Sequence, residues 1–269
     1  MPSEQEFIDL NSAIKIENTK NAYNFGNGIV FIKPCEDFEE VIAEEVATVL
    51  GVETLHYDIG VRNKELYVFS KPFYAENEEY ISGVDILSQA YPNEISLGVN
   101  NLTNIWGALE KLYGTEYAND IPQIIENLVR IFCFDLLVSN NDRVNVNWGV
   151  IRNESGMRLA PMFDNSLIFN FFPAVGLGVD SERAYNNKKI LSNFLSVSDS
   201  YFTDIFYEMF DTLTPDKLDS IFKDVEKDRN ITIDENYRVE TVNNFNNYRN
   251  GLQEVVEQYR QGKRLWYTF

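Results

Sequence analysis

Short apolar runs dominate the first part of the chain and predict β-strands around a single helix. Residues 28–34 are rich in β-branched and aromatic side chains and begin at an Asn-Gly pair, so two strands are predicted to straddle a turn there. Apolar residues at helical spacing predict a helix over residues 36–50. Further strands are predicted over residues 55–61 and 65–69.

After about residue 78 the spacing of apolar residues becomes helical. Residues 120–137 are apolar almost all round, which is typical of a buried helix, and Asp120 with Pro122 predicts its start. Residues 165–200 have a mixed composition and are interpreted as a mobile segment over a cleft. The other predicted elements are helices at 104–113, 214–228 and 234–261, the last interrupted near Gly251, and a hairpin with strands at 148–152 and 157–160.

Strands followed by helices predict an α+β fold with two lobes. A small N-terminal lobe is expected over residues 1–78, with a β-sheet and one helix, and a larger, mainly helical lobe over residues 79–269. A chain of 269 residues is long enough for this plan. Ligands commonly bind in the cleft between two such units, so the functional residues are expected there.

Charge and cysteine content narrow the classes of function. The formal net charge is −19, which argues against sequence-independent nucleic-acid binding and against docking to an anionic membrane. Two isolated cysteines and one histidine are too few ligands for a zinc site, and nothing indicates a disulfide framework. The start of the sequence lacks a signal-peptide pattern, and no apolar run approaches the roughly 20 residues of a membrane span, so a cytoplasmic protein is expected.

Three polar residues after the buried helix carry the candidate chemistry. Asp142 and Asn147 lie in the loop directly after that helix, and Asp164 follows one hairpin later. A carboxylate, an amide and a second carboxylate can orient a hydroxyl and hold Mg²⁺ on a nucleotide. Lys33 is the only charge in its predicted strand, and a glutamate of the following helix could turn inward to pair with it, as in protein kinases.

Each of these residues also has a simpler interpretation. Asp142, Asn147 and Asp164 could be turn residues, because Asn and Asp often satisfy their own backbone in loops. Lys33 could be a lysine on an edge strand. The order of strand lysine, helix glutamate, lobe change, buried helix, D-x-x-x-x-N and a hairpin ending in Asp favours a kinase. The chain contains no Walker A motif, and His56 has no G-x-S-x-G nucleophile motif near it.

The motifs resemble those of the HipA-like serine/threonine kinases, in particular the compact, single-domain CtkA-type branch. The segment 140–149, NNDRVNVNWG, is similar to the N-x-D-R-H-x-x-N-[WF]-G catalytic loop of that family. The segment 159–164, LAPMFD, is similar to its I/L-A-P-x-[YF]-D metal motif. The resemblance extends over about residues 13–260. The chain differs at Val144, where the family has His, and in the loop 17–21, which lacks the glycine that the family often has.

The resemblance implies a HipA-like kinase fold and a role for each matching residue. Asp142 would orient and deprotonate the attacking hydroxyl, and Asn147 with Asp164 would bind Mg²⁺. Lys33 would take part in catalysis by holding the nucleotide phosphates, with Glu40 fixing its position. The further nucleotide contacts that the resemblance implies are Thr19 and Lys20 in the phosphate-covering loop, and Lys71 and Phe73 at the hinge where the adenine lies.

The function implied is an ATP- and Mg²⁺-dependent protein serine/threonine kinase that also phosphorylates itself. Its partners would be a protein substrate and, in some family members, an antitoxin or regulatory protein. One alternative stays open: a weak or inactive pseudokinase that binds nucleotide and works as an interaction module in a toxin–antitoxin or phage-related complex. Catalysis needs Asp142, whereas nucleotide binding alone does not.

Overall fold

A computed structural model gives the fold of the chain with its side chains. It describes residues 7–17, 21–26, 28–35, 38–92, 102–140, 143–165, 167–169 and 200–262. Strands dominate the N-terminal part of these residues and helices dominate the remainder. The predicted α+β fold class is therefore confirmed.

Six of the described strands form one sheet. They are β1 (Ile8–Asp9), β2 (Ile14–Lys15), β3 (Ala22–Phe25), β4 (Gly28–Pro34), β5 (Asp58–Arg62) and β6 (Glu65–Ser70). Their order across the sheet is β1-β5-β6-β4-β3-β2, and neighbours are antiparallel except β1 and β5, which run parallel. The β3–β4 hairpin confirms the two strands predicted around the Asn-Gly turn. β1 and β2 were not predicted, because two residues are too few for an alternating pattern.

β4 is an interior strand of this sheet, with β3 and β6 paired on its two sides. Val30 and Ile32 on one face of β4 are buried with Leu10 and Phe69 in a small apolar cluster. Alternate residues of a strand point to opposite faces, so Lys33 lies on the other face. The interpretation of Lys33 as a lysine on an edge strand is therefore wrong.

Helix α1 (Glu39–Val49) packs into the main core of the protein. The predicted start of this helix at residues 36–37 lies outside the described residues. Glu40 and Glu44 are buried along with the apolar stripe of the helix. Burial of a charged side chain is costly without a partner, so both carboxylates require specific contacts. The buried apolar residues of α1 include Val41, Ile42, Val46 and Ala47.

β5 begins at Asp58 rather than at residue 55, where the apolar pattern predicts it. The backbone N–H of Leu55 donates to the Met162 carbonyl at 2.8 Å. The N–H of Tyr57 donates to the Glu44 carboxylate at 3.0 Å. These groups are used in contacts with α1 and with the end of the later hairpin, so they are not available for a strand ladder.

A second, three-stranded sheet and the remaining helices follow. The strands are β7 (Glu79–Ser82), β8 (Gly149–Asn153) and β9 (Gly156–Leu159), in the order β7-β8-β9. The helices are α2 (Gly83–Ala90), α3 (Leu102–Tyr113), α4 (Ile121–Leu137), α5 (Ser200–Thr212), α6 (Pro215–Arg229) and α7 (Glu235–Arg260). None of the described helices is both long and apolar enough to cross a bilayer.

β7, α2 and α5 were not predicted. β7 follows an acidic, polar stretch and gains its pairing from β8, which is distant in sequence. It joins the second sheet, whereas every described strand before it joins the first. The division into lobes at residue 78 stays a prediction. The segment 165–200, interpreted as mobile, lies almost wholly outside the described residues.

Two helices differ from their predicted form. Asp120 makes no capping hydrogen bond to α4, and its carboxylate instead accepts the N–H of Met157 at 2.8 Å. α7 continues through Gly251 without the predicted interruption. Leu252, directly after it, and Val256, about one turn further on, are buried. Their burial outweighs the roughly 1 kcal/mol by which a glycine disfavours a helix.

Gly83→Ala should destabilise the fold, because a Cβ there would lie less than 3.0 Å from the Trp148 ring. Trp148 is buried, so the ring cannot move away without disturbing the core. We expect the free energy of unfolding to fall by about 1–3 kcal/mol in urea denaturation. Gly28→Ala is the matched control, since a Cβ there meets nothing within 4 Å. Equal effects of the two substitutions would contradict this packing.

Candidate active site

Lys33 is the point where three segments of the chain meet. Its Nζ lies 2.7 Å from Oε1 of Glu40, in the first turn of α1. It also forms an ion pair with the carboxylate of Asp164, after the β8–β9 hairpin. Burial lowers the pKa of Lys33, but the charge of Glu40 and hydrogen bonds to Asp164 and Glu40 outweigh it and raise the pKa above its ordinary value. The lysine is therefore charged at neutral pH.

The backbone at Asp164 is left-handed, with a φ of 57°. This conformation costs a residue with a Cβ roughly 1 kcal/mol or more, and it persists where surrounding contacts impose it. Tyr57 Oη accepts the N–H of Asp164 at 3.3 Å, and Glu40 Oε2 accepts the N–H of Asn165 at 2.9 Å. These two hydrogen bonds hold the peptide groups on both sides of Asp164.

Tyr57 joins α1 to this strained backbone. The residue is 3% exposed, and its hydroxyl bonds both the Glu40 side chain and the Asp164 N–H. Burial, together with the negative charge of Glu40, raises the pKa of Tyr57 well above its ordinary value. The hydroxyl is therefore protonated at neutral pH, so it can donate to Glu40 while it accepts from Asp164.

Arg143 connects the loop after α4 to the end of the hairpin. Its Nε and Nη2 donate to the two carboxylate oxygens of Asp135, each at 3.0 Å. Its Nη1 donates to the carbonyl of Asn147 at 3.1 Å and to that of Phe163 at 2.6 Å. Its Nη2 also donates to Asn165 Oδ1 at 2.6 Å. One buried guanidinium thus holds two segments of the site side by side.

Asp135 anchors that guanidinium on the last turn of α4. Its carboxylate also accepts a hydrogen bond from Asn140 Nδ2 at 2.8 Å. Burial raises the pKa of Asp135, while the charge of Arg143 and the hydrogen bonds from Arg143 and Asn140 oppose that shift. Breaking a buried ion pair by removing one partner typically costs roughly 3–5 kcal/mol. The geometry of the loop therefore depends on this pair.

The structure brings some of the predicted site residues together and leaves another apart. Lys33, Glu40 and Asp164 are in direct contact. Asn147 is buried, and its backbone is linked through the Arg143 guanidinium to the residue before Asp164. Lys71 is exposed after β6, and no contact within the described part of the chain joins it to the others.

Phe73 lies against the residue that precedes Asp164. Its ring stacks on Phe163, with centroids 5.2 Å apart and planes 18° apart. Tyr80 meets both rings edge-on, at 5.2 Å from Phe73 and 6.3 Å from Phe163. The aromatic cluster therefore joins the segment after β6 to the segment 159–164, the candidate metal motif, and an aromatic surface of this kind can pack against a flat ligand.

Three predicted site residues lie outside the described residues. They are Asp142, Thr19 and Lys20. The flanking residues Asn140 and Arg143 are described and buried, and both donate hydrogen bonds to the Asp135 carboxylate. The roles assigned to the three residues stay predictions.

Several residues that shape the site were not predicted from the sequence. Arg143 stands next to Asp142 in the loop motif, so the motif itself could have drawn attention to it. Asp135 is the only charged residue in the apolar run 131–138, which indicates a buried partner but does not identify it. Tyr57 contacts Asp164 across 107 positions of the sequence, and no local pattern signals such a contact.

The donor set suits a metal ion that is bound together with a phosphate ligand. Within the described residues, no group of three or more His, Cys, Asp or Glu side chains is placed to hold a metal. Asp164 and Asn147 offer a carboxylate and an amide oxygen, which are hard ligands. Mg²⁺ commonly takes one or two carboxylates from a protein and completes its shell with phosphates and water. The residues present fit Mg²⁺ on a nucleotide.

Tyr57→Phe should loosen Asp164 while keeping the ring in the core. The substitution leaves the Glu40 carboxylate and the Asp164 N–H each without one partner. We expect a loss of about 1–3 kcal/mol in the free energy of unfolding, measured in urea. Tyr67→Phe is the control, because the Tyr67 hydroxyl bonds Glu65 in exposed surroundings at 3.3 Å. If both variants lose the same stability, the Tyr57 hydroxyl does not hold Asp164.

The chain is similar to a known kinase in part of its sequence and in its fold. No family model matches the chain. Over 130 residues, 47% of this chain, it is 25% identical to the serine/threonine-protein kinase CtkA of Helicobacter pylori, and the match spans 38% of that relative's length. The crystal structure of the Helicobacter pylori proinflammatory kinase CtkA has a TM-score of 0.63 at 17% identity, covering 93% of this chain and 99% of that chain.

A second solved structure has the same fold. It is the toxin–antitoxin complex of HipA, HipB and operator DNA from Shewanella oneidensis MR-1, with a TM-score of 0.56 at 14% identity, covering 96% of this chain and 66% of that chain. At these identities the structural likeness shows the fold alone. The resemblance to HipA-like kinases found in the motifs is confirmed. The chain therefore has the two-lobed HipA-like protein-kinase fold that it shares with CtkA.

Proposed function

We propose that the chain is a protein serine/threonine kinase that uses ATP and Mg²⁺. The observation that carries the proposal is the contact of Lys33 with both Glu40 and Asp164. Protein kinases hold the nucleotide phosphates with a strand lysine, fix that lysine with a helix glutamate and bind Mg²⁺ with an aspartate. The sequence match to CtkA, which is named a serine/threonine-protein kinase, supports the same activity.

Nucleotide binding would be divided among several residues of the site. Lys33, charged at neutral pH, would hold the phosphates, and Glu40 would keep its ammonium in place. Asn147 and Asp164 would hold Mg²⁺, which when bound neutralises charge on the phosphates. The further proposed nucleotide contacts are Thr19 and Lys20 over the phosphates, and Lys71 and Phe73 beside the adenine.

Asp142 would act on the protein substrate. Its carboxylate would orient a serine or threonine hydroxyl and take its proton. As the hydroxyl oxygen bonds to the γ-phosphorus, the bond from that phosphorus to the bridging oxygen of ADP breaks. The products are a phosphorylated protein and ADP, with the proton on Asp142. Hydroxyls of the chain itself can enter the same step, so we also propose autophosphorylation.

A pseudokinase is the second candidate, and Val144 is the observation that favours it. Val144 stands where the family has His, so an apolar side chain replaces a polar one in the loop. The Val144 side chain is 49% exposed. Such a protein would bind nucleotide and act as an interaction module with an antitoxin-like or regulatory partner. The HipA structure is a complex with HipB and operator DNA, but the net charge of −19 argues against direct DNA binding by this chain.

ATP with Mg²⁺ should raise the melting temperature of the wild type, because a ligand of the folded state stabilises it by mass action. Asp164→Ala should lose most of the Mg²⁺-dependent part of that rise, since it lacks the carboxylate ligand. Asp204→Ala, exposed on α5, is the control and should keep it. Thermal melts with ATP, in the presence of Mg²⁺ or of a chelator, measure both. A full Mg²⁺ effect in Asp164→Ala would exclude Asp164 from the metal site.

Asp142→Asn should leave the ATP-dependent stabilisation nearly unchanged and lower phosphoryl transfer by about 10²-fold or more, the scale of a lost general base. Lys33→Ala should weaken both nucleotide binding and transfer. Labelled ATP and mass spectrometry of phosphorylated sites measure transfer to the chain and to a generic substrate.

An active Asp142→Asn enzyme would show that Asp142 is a turn residue, because Asn serves a turn as well as Asp does. A wild-type protein that binds ATP and labels neither itself nor a generic substrate would establish the pseudokinase.

A further inference from the structure

A pocket of about 310 Å³ lies between the end of α3 and the start of α4. Trp106 and Glu110 line it from α3, Ala118 from the connecting loop, and Ile121 and Pro122 from α4. Pockets for small ligands span roughly 300–1,000 Å³, and this one is at the lower end of that range, with room for one or two side chains. None of its lining residues belongs to the candidate active site.

Trp106 gives the pocket a fixed aromatic wall. It is 36% exposed, and its indole N–H donates to Oε1 of Glu110 at 2.6 Å. The two residues are one helical turn apart, so the hydrogen bond holds the ring and the carboxylate together on one face of α3. A partly exposed tryptophan in a concave surface is a frequent anchor of protein interfaces.

The charge on the α3 side of the pocket is negative. Glu110 lies near the C-terminal end of α3, where the helix dipole adds further negative potential. The neighbouring cation, Lys111, is used elsewhere, because its Nζ donates to the Ala90 carbonyl and lies 5.4 Å from the centre of the Tyr91 ring. Its ammonium therefore does not compete for the Glu110 carboxylate.

The α4 side does not cancel this negative charge. Helix N-termini attract anions through free N–H groups. Here the N–H of Ile121 donates to the Tyr117 carbonyl at 3.3 Å, and Pro122 has no N–H. Glu116, exposed on the connecting loop, adds another negative charge. The net charge of −19 attracts cationic partners at longer range.

We propose that this pocket docks an arginine or lysine side chain from a basic segment of the protein substrate, an inference that rests on the proposed kinase function. The cation would lie against the Trp106 indole and pair with Glu110, which combines a cation–π contact with an ion pair. Arginine should bind more tightly than lysine, because its planar guanidinium can stack and pair at once.

The position of the pocket sets the spacing in the substrate. α4 has 17 residues, and at 1.5 Å per residue its ends are roughly 25 Å apart. The pocket lies at the start of α4, and the loop that carries Asp142 follows its end. An extended chain covers about 3.3 Å per residue, so at least about eight residues should separate the docked cation from the phosphorylated hydroxyl.

Direct binding tests the docking site without phosphoryl transfer. A fluorescent peptide with an Arg-Leu-Arg segment is titrated with the full chain in the absence of nucleotide, and anisotropy is measured. Trp106→Ala and Glu110→Gln should each weaken binding by about tenfold, and a peptide with Glu in place of Arg should not bind. Val239→Ala and Glu240→Gln, both exposed on α7, are the matched controls and should bind like the wild type.

Phosphorylation gives a second measurement. For a peptide whose serine is joined to the Arg-Leu-Arg segment by a long linker, Trp106→Ala should raise the KM several-fold and leave kcat unchanged. With a linker too short to span α4, the variant should behave like the wild type. Equal binding of the basic peptide by the wild type and both pocket variants would overturn the docking site. Docking at Trp106 without any phosphorylation would support the pocket and contradict the kinase function instead.

Discussion

The Glu40 carboxylate is the contact on which the rest of the site depends. One oxygen holds the Lys33 ammonium and the other accepts the backbone N–H of Asn165, so it joins the first sheet to the segment after the hairpin. Glu40 is buried, and a buried carboxylate without partners would be strongly destabilising. Its partners make the burial possible, and burial strengthens each contact by lowering the local dielectric. The contacts that allow Glu40 to be buried in the folded protein therefore also fix the geometry of the site.

A continuous path of hydrogen bonds extends from that carboxylate into the helical part of the protein. Asn165 continues it, because its Oδ1 accepts from Arg143, which in turn pairs with both oxygens of Asp135. In order, the path is Lys33, Glu40, Asn165, Arg143 and Asp135. Since the path begins on β4 and ends on α4, a displacement of either element would disturb the lysine and the loop with Asp142 together. Buried polar networks of this kind favour one arrangement, because a partly broken one leaves charges unpaired.

α4 links the two functional regions proposed for this chain. It is buried along most of its length, which makes it a rigid spacer between the Trp106 pocket at its start and the proposed catalytic loop after its end. A rigid separation favours substrates in which the docking and accepting segments have a matching spacing. The strongly negative net charge attracts many cationic partners without distinguishing among them. The spacing between the docking and accepting segments can distinguish among these partners.

Local patterns in the sequence were sufficient for the elements whose periodicity is strong, such as β4, α1 and α4, because side chains every two or every three to four residues record which face is buried. They also placed a strand lysine, a helix acid and a later aspartate in the order that a kinase needs. The residues alone left several acids of α1 open, and the family resemblance selected Glu40. Only the tertiary structure decides the partner of each acid, because the packing of the apolar stripe sets the rotation of α1: Glu40 then meets Lys33, and Glu44 meets the N–H of Tyr57. The contacts of Tyr57 and Arg143 likewise join segments that are distant in sequence, so the folded chain alone reveals them.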